Sequence, residues 1–131
     1  MGQNQLLMIV LSVIIVGVAV TVGISQFSEN ALTANRDAVA SDCQRIVASA
    51  QQWYRKPAAL GGGGNAYTGL SLAAVGVDST NANGDFSITV DSATQITVVG
   101  TGNEKNSGGS DVQVTLVHDA TTGAITYSDN M

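Results

Sequence analysis

Cysteine, histidine and proline each occur once in the 131 residues, as Cys43, His118 and Pro57. A single cysteine excludes an intrachain disulfide, and a single histidine leaves little material for a zinc site or for nucleophile and base chemistry. Charged residues make up 11% of the chain, less than half of the ~25% typical of soluble globular domains. The composition therefore predicts one domain that is not an enzyme and that has much surface not facing ordinary water.

The few charges are distributed unevenly along the chain. Residues 1–28 carry none, residues 29–56 carry four basic and three acidic side chains, and residues 57–131 carry seven acidic side chains and one basic. The net charge of -5 leaves no basic patch to neutralise phosphates, which argues against a nucleic-acid partner. The chain thus has an uncharged, a mixed and an acidic zone.

The uncharged zone contains an apolar run of nineteen residues from Leu6 to Ile24, whose only polar side chains are Ser12 and Thr21. At ~1.5 Å per residue a helix of this length covers roughly 29 Å, which matches a ~30 Å bilayer core. The run can therefore span a membrane. A cleaved signal peptide fits less well, because the preceding MGQNQ has no positive charge and no clear cleavage site follows the run.

The helical pattern continues beyond the apolar run. Residues 25–54 contain no proline and no glycine, and apolar side chains recur mostly every three or four residues, at Phe27, Ala31, Ala34, Ala38, Ile46, Ala50 and Trp53. We predict one helix from about residue 3 to about Tyr54, stopped by Pro57. Gly17 and Gly23 could loosen it locally, and they either admit a closely packed neighbouring helix or reflect the frequency of glycine in membrane helices.

The composition changes after Pro57. Four glycines at 61–64 predict a flexible or turn-rich link, and the apolar stretch 70–77 fits either a helical turn or a packed loop. Apolar and polar side chains then alternate in four short segments, 86–90, 95–98, 112–116 and 125–127, separated by the turn sequences DSAT, TGNEKNSGGS and DATTG. The sequence therefore predicts an α+β fold, in which a four-stranded antiparallel sheet packs its apolar face on the amphipathic half of the helix.

This layout resembles the type IV pilin family, which combines an uncharged apolar N-terminal helix, its amphipathic continuation, a glycine-rich loop and a four-stranded antiparallel sheet. The resemblance covers the whole chain in architecture and residues 1–54 in sequence. Mature type IV pilins typically begin with a methylated Phe or Met and carry Glu at the fifth position; here Met1 and Gln5 take these places, followed by Leu6 and Leu7. Because an amide replaces the carboxylate, the family's pairing with a neighbouring N-terminal amine is reduced to a hydrogen bond.

The resemblance also implies processing by a prepilin peptidase. The given sequence shows no basic leader, which means either that a leader was removed ahead of Met1 or that the protein has none. The preferred register places the mature terminus at Met1, and a second register places the cut at the Gly2–Gln3 junction. The assembly residues that the resemblance implies are Met1, Gln5, Leu6, Leu7, Val13, Gly17, Gly23 and Phe27. The chain lacks the disulfide of the best-known pilins, and pseudopilins of type II secretion systems often lack it too. The sequence therefore does not distinguish a pilus subunit from a secretion pseudopilin.

One loop carries oxygen ligands at a spacing found in calcium sites, at Asp78, Asn81, Asn83 and Asp85. Some pseudopilins hold calcium in their heads. An EF-hand would also need Glu six residues after its glycine, where this chain has Val90. A turn before a strand is the preferred interpretation, and we predict no metal and no cofactor.

The other chemically notable residues are interpreted as structural. His118 ends the apolar positions of a predicted strand, and Cys43 lies in the amphipathic helix as a small buried residue. The glycines at 61–64 follow a helix and lack a P-loop lysine, so no nucleotide site is expected. The six aromatic side chains are interpreted as core and interface filling.

Together these patterns predict a structural subunit of an extracellular filament. Residues 1–25 form the membrane segment and later the filament core, and residues 26–131 form a head built from the helix half 26–56, the loop 57–85 and the sheet 86–131. The partners implied by the resemblance are further copies of the chain, the inner membrane before assembly, and the pilus assembly machinery, with a final location at the cell surface. A type II secretion pseudopilin and a single-pass surface protein whose head binds a partner are the alternatives.

Overall fold

The structure is a computed structural model that describes residues 2–131. The chain begins with helix α1 (Gly2–Arg55), continues through a 3-10 turn (Ala58–Leu60), and ends in strands β1 (Gly84–Val90), β2 (Gln95–Lys105), β3 (Asp111–Asp119) and β4 (Ile125–Asp129). The strands form one antiparallel sheet in the order β1-β2-β3-β4. The predicted α+β fold, a long N-terminal helix packed on a four-stranded antiparallel sheet, is confirmed.

The C-terminal end of α1 is capped by the glycine-rich segment. The last carbonyls of a helix have no partner within the helix and need one elsewhere. Here the backbone N–H of Gly63 donates to the carbonyl of Trp53 (2.9 Å), and that of Asn65 donates to the carbonyl of Tyr54 (2.8 Å). A Cβ on Gly63 would lie 2.6 Å from Cζ3 of Trp53, so a side chain has no room there. The predicted link is thus a turn that folds back over the helix end.

The C-terminal half of α1 packs across β2 and β3. Its fully buried residues are Val39, Cys43, Ile46, Val47 and Ala50. The predicted stripe is right at Ile46 and Ala50 but wrong at Phe27 and Ala34, which are exposed. Phe27 lies beyond the reach of the sheet: Asn35, whose Oδ1 accepts the backbone N–H of Glu104 (3.2 Å), lies against the far end of β2, eight residues later in the helix. Ala31 and Leu32 are still half-buried, and every residue from 2 to 30 is exposed.

Glycines in β2 let the helix approach the sheet closely. A Cβ on Gly100 would lie 2.7 Å from Sγ of Cys43, so only glycine fits here without displacing the helix. The burial predicted for Cys43 is confirmed. Burial raises the pKa of the Cys43 thiol to about 12, which keeps it protonated and unreactive at neutral pH.

Strand β2 is longer than the sequence pattern predicts. It continues to Lys105, so residues 101–105 of the predicted turn are strand, and that part of the prediction is wrong. Two side-chain contacts lie along the extension: Lys105 Nζ lies 2.7 Å from Asp111 Oδ1, and the Asn103 amide donates to the carbonyl of Ala82 (3.0 Å).

The predicted loop 57–85 ends two residues earlier than expected, because its last two residues belong to β1. Its stretch 70–77 is a series of turns anchored by buried Leu70, which makes it a packed loop.

Candidate functional site

An exposed apolar surface covers the N-terminal part of α1. All residues from 2 to 30, which we call the N-terminal arm, are exposed, including Met8 (70%) and Phe27 (76%). The helix contains an 18-residue window apolar enough to cross a membrane, and none of that window is buried. Contiguous apolar surface of more than a few hundred Å² is rare on soluble monomers and marks contact with protein or lipid. The N-terminal arm is therefore the candidate functional site.

The two hydroxyl groups of the arm are satisfied within the helix. Ser12 Oγ donates to the carbonyl of Met8 (2.8 Å), and Thr21 Oγ1 donates to the carbonyl of Val18 (2.8 Å). Bonding back to the preceding turn lets a hydroxyl lie in hydrocarbon without a further partner. The apolar run between Leu6 and Ile24 therefore presents no polar group that needs water.

The helix is unbroken at Gly17 and Gly23. A Cβ added to Gly17 or Gly23 would meet no atom within 4 Å, so neither glycine is required by a contact within the chain. The continuous helix predicted from about residue 3 to about Tyr54 is confirmed, whereas the loosening predicted near these glycines is absent. Both positions remain open to a close neighbour outside the chain.

The predicted assembly residues are spread along the arm rather than clustered. Gln5 and Phe27 lie roughly 33 Å apart along the axis at ~1.5 Å per residue. At roughly 100° per residue, Gln5, Gly23 and Phe27 lie within about 40° of one another around the helix. The others described are exposed between them, at Leu6, Leu7, Val13 and Gly17. Met1 lies outside the described residues, and the Gly2–Gln3 junction is in the first turn of α1.

The loop predicted as a weak calcium candidate docks on the helix through Asp42. Asp42 Oδ2 accepts hydrogen bonds from the amide groups of Asn81 (3.0 Å) and Asn83 (2.8 Å), and Arg45 lies 3.3 Å from Oδ1. Burial favours a higher pKa for Asp42, but the hydrogen bonds from Asn83 and Asn81 and the charge of Arg45 outweigh it and lower the pKa below its ordinary value. The carboxylate is therefore an anchor for this loop.

The oxygen atoms of the same loop are used within the turn. Asn81 Oδ1 accepts the backbone N–H groups of Asn83 (2.8 Å) and Gly84 (3.2 Å), and Asp85 Oδ1 accepts the hydroxyl of Thr80 (2.9 Å). Asp78 is exposed. Over residues 2–131, no three Asp, Glu, His or Cys side chains group as a metal site. The geometry is that of an Asx turn before a strand, the interpretation preferred from the sequence.

A buried polar cluster lies under the C-terminal end of α1, and of its members the sequence analysis singled out only His118. His118 is 4% exposed in β3 and stacks edge-on against Tyr67, with 6.1 Å between ring centroids. The amide nitrogen of Gln51 lies 3.4 Å and 3.5 Å from the two ring nitrogens of His118. The alternation of β3 placed His118 on the apolar face of the sheet. Nothing in the sequence around Tyr67 indicated that the Tyr67 ring would contact His118.

Comparison of the chain with protein-family models, curated proteins and solved structures finds no match. The molecule is therefore characterised by its architecture: an α+β head carried on a helix whose exposed N-terminal arm is long and apolar enough to span a membrane.

Proposed function

We propose that this protein is the structural subunit of an extracellular type IV pilus-like filament. In this proposal the N-terminal arm holds the subunit in the inner membrane before assembly and afterwards packs against the arms of neighbouring copies in the filament core. The head then faces water. The observation that carries the proposal is the unbroken helix: its N-terminal arm is entirely exposed, and its second half packs against the sheet of the head.

The proportions of the helix support this arrangement. Its 54 residues extend roughly 81 Å at ~1.5 Å per residue, of which the arm is somewhat more than half. A continuous helix links the arm rigidly to the sheet, because Val39, Ile46 and Ala50 are clamped beneath it. Packing the arms in a bundle would therefore place the heads in a regular array around the bundle.

Transfer of the arm from lipid to a helix bundle involves little change in polarity. Lipid tails and neighbouring apolar helices are similar environments, so such association relies on close packing and on contacts between heads. Open positions at Gly17 and Gly23 favour close packing. The internally bonded hydroxyls of Ser12 and Thr21 are compatible with both environments.

Charge contributes a further contact between heads. Arg36 pairs with Asp37 and Arg45 pairs with Asp42, which leaves Arg55 and Lys56 exposed and outside the ion pairs formed by residues 2–131. The remainder of the head is acidic. We propose that Arg55 and Lys56 face an acidic surface of the next subunit, which would orient the heads.

The test is electron microscopy of material sheared from cells that express the chain, with mass spectrometry to identify it in the filaments. Filaments that contain the chain, and that are lost from a strain lacking its gene and restored by complementation, are the expected result. A chain found only in the membrane fraction of cells would favour the single-pass anchor. The pseudopilin would be favoured by two observations together: short filaments confined to the periplasm of cells that express the chain, and loss of protein secretion in the deletion strain.

A further inference from the structure

The loop that leads into strand β1 carries the one Asn-Gly pair of the chain, Asn83-Gly84. Asparagine before glycine is the pair most open to spontaneous deamidation, because glycine has no side chain to hinder its own backbone nitrogen. That nitrogen can approach the side-chain carbonyl carbon, Cγ, of the preceding asparagine. The pair is therefore a candidate site of covalent modification.

The fold holds both reacting groups of the pair. Nδ2 of Asn83 donates to Oδ2 of Asp42 (2.8 Å), and the backbone N–H of Gly84 donates to Oδ1 of Asn81 (3.2 Å). Gly84 is also the first residue of β1 and lies opposite Gly102 of β2. Because attack on Cγ requires both hydrogen bonds to break, the reaction belongs to conformations in which this loop has opened.

One carboxylate provides most of the attachment of the loop to the helix. Among residues 2–131, four side-chain hydrogen bonds tie residues 81–83 to the rest of the head: two go to Asp42, and two run from the amides of Asn35 and Asn103 to backbone carbonyls of the loop (3.0 Å each). Hydrogen bonds to a charged group are stronger than neutral ones. Surface segments held by few contacts open far more often than the whole domain unfolds. The attachment to Asp42 therefore sets how often the pair can react.

We propose that Asn83 deamidates in the folded head and that the reaction releases the loop from Asp42. In the opened loop the nitrogen of Gly84 attacks Cγ of Asn83, the Cγ–Nδ2 bond breaks, and ammonia leaves with the proton that the Gly84 nitrogen gives up. Water then opens the cyclic imide to aspartate, or to isoaspartate where it attacks the backbone carbonyl carbon. Nothing is oxidised or reduced, and the only co-reactant is water. This proposal is independent of filament assembly.

Both products prevent the loop from closing as before. Aspartate at position 83 places a carboxylate where an amide donated to Asp42, and two ionised carboxylates at this distance repel each other. Arg45 lies 3.3 Å from Oδ1 of Asp42 and offsets only one of the two charges. Isoaspartate adds a methylene group to the backbone and disrupts the turn before β1. Since the ammonia is lost, the loosening is irreversible.

The experiment is incubation of the full chain in detergent in warm, mildly alkaline buffer, with peptide mass spectrometry to follow each asparagine. We expect conversion at Asn83 well before Asn81 and Asn106, which precede alanine and serine. Asp42→Ala should speed conversion about five- to thirtyfold, because losing bonds to a charged group raises the open population by that factor. The matched control is Asp37→Ala, whose carboxylate pairs with Arg36 on the same helix and which should change the rate less than about twofold.

A second measurement tests the release of the loop. Asn83→Asp should lower the urea unfolding midpoint more than Asn83→Ala does, and Asp42→Asn should remove this difference, because an amide can donate to the new carboxylate. Asp42→Asn, which keeps the shape of the side chain, also carries the rate test if Asp42→Ala does not fold. The proposal is overturned by conversion no faster at Asn83 than at Asn106, by equal rates in wild type and the Asp42 variants, or by Asn83→Asp as stable as Asn83→Ala.

Discussion

The two halves of α1 share one backbone and have opposite surroundings. Residues 2–30 are exposed throughout, whereas Val39, Ile46 and Ala50 are completely buried under the sheet. Apolar content does not explain this difference, because the arm is the more apolar half. The docked half has a partner within its own chain, and the arm has none among residues 2–131. The comparison teaches that the same substitution should act on folding in one half and on insertion or assembly in the other.

The largest effect is expected from a carboxylate placed in the docked half. Ile46→Asp removes a fully buried side chain, a loss of roughly 2–5 kcal/mol in comparable truncations, and adds an unpaired buried charge worth several kcal/mol more. Since whole domains are stable by only about 5–15 kcal/mol, the head should unfold. Near-UV circular dichroism and Trp53 fluorescence of the full chain in detergent would measure this. Ile14→Asp, in the arm, should leave both signals unchanged; a folded head in Ile46→Asp would contradict the packing described.

The same change in the arm should act on insertion instead. Val13→Asp places a carboxylate near the centre of the apolar run, at a cost of about 2.5–3.5 kcal/mol on insertion scales. We expect less chain in the membrane fraction and no filaments, with the urea unfolding midpoint of the head unchanged. Val13→Leu is the matched control. Filaments at wild-type yield from Val13→Asp would count strongly against a core made of packed arms.

Alanine in place of glycine should have opposite consequences in the two halves. Gly100→Ala forces a Cβ against Sγ of Cys43 and should destabilise the head by roughly 1–3 kcal/mol, as overpacking does. Gly17→Ala meets no atom of the chain and should gain about 1 kcal/mol of helix propensity. Urea unfolding followed by circular dichroism measures both. A reduced filament yield in Gly17→Ala with normal insertion would indicate close packing at this glycine.

Acid should loosen the contact between the loop and the docked half through Asp42. Its folded pKa is lowered, so its contribution to stability is fully present above the unfolded pKa of ~3.9 and is lost as the pH falls through the folded pKa. Asp42→Ala should cost about 1–2 kcal/mol at pH 7 by removing hydrogen bonds to a charged group. The gap in unfolding midpoint between Asp42→Ala and wild type should close below about pH 4. A gap that is constant from pH 7 to pH 2.5 would show that the carboxylate charge contributes nothing.

The smallest effect is expected at Gln5, and it distinguishes a packed arm from a plain membrane anchor. In a filament core the N-terminal amine of one subunit would lie near Gln5 of a neighbour, since buried polar groups need partners. Gln5→Glu should therefore assemble as well as wild type or better, and Gln5→Leu should reduce the yield. Filament yield at matched expression is the measurement. Equal yields from wild type and Gln5→Leu would remove the reason for placing Gln5 in an interface.

Elements with a strong local pattern were predictable from the sequence. The alternation of Val112, Val114 and Leu116 with polar residues predicted β3 and the side of the sheet that faces the helix, because successive strand residues point to opposite faces. The absence of proline and glycine from 25 to 54 predicted an unbroken helix. The arm was predictable as an apolar segment, since its composition alone determines how it partitions into hydrocarbon.

Contacts between distant residues were decided only by the tertiary structure. The extended end of β2 brings Lys105 opposite Asp111 of β3, and the loop that resembles a calcium site is held by Asp42, about forty residues earlier in the chain. Likewise Tyr67 meets His118, about fifty residues later, and this contact exists only once helix and sheet are packed. A periodic pattern specifies a residue's face and its burial tendency, because these follow from local backbone geometry. Which partner each face meets is determined by the path of the whole chain, and the N-terminal arm meets no other element among residues 2–131.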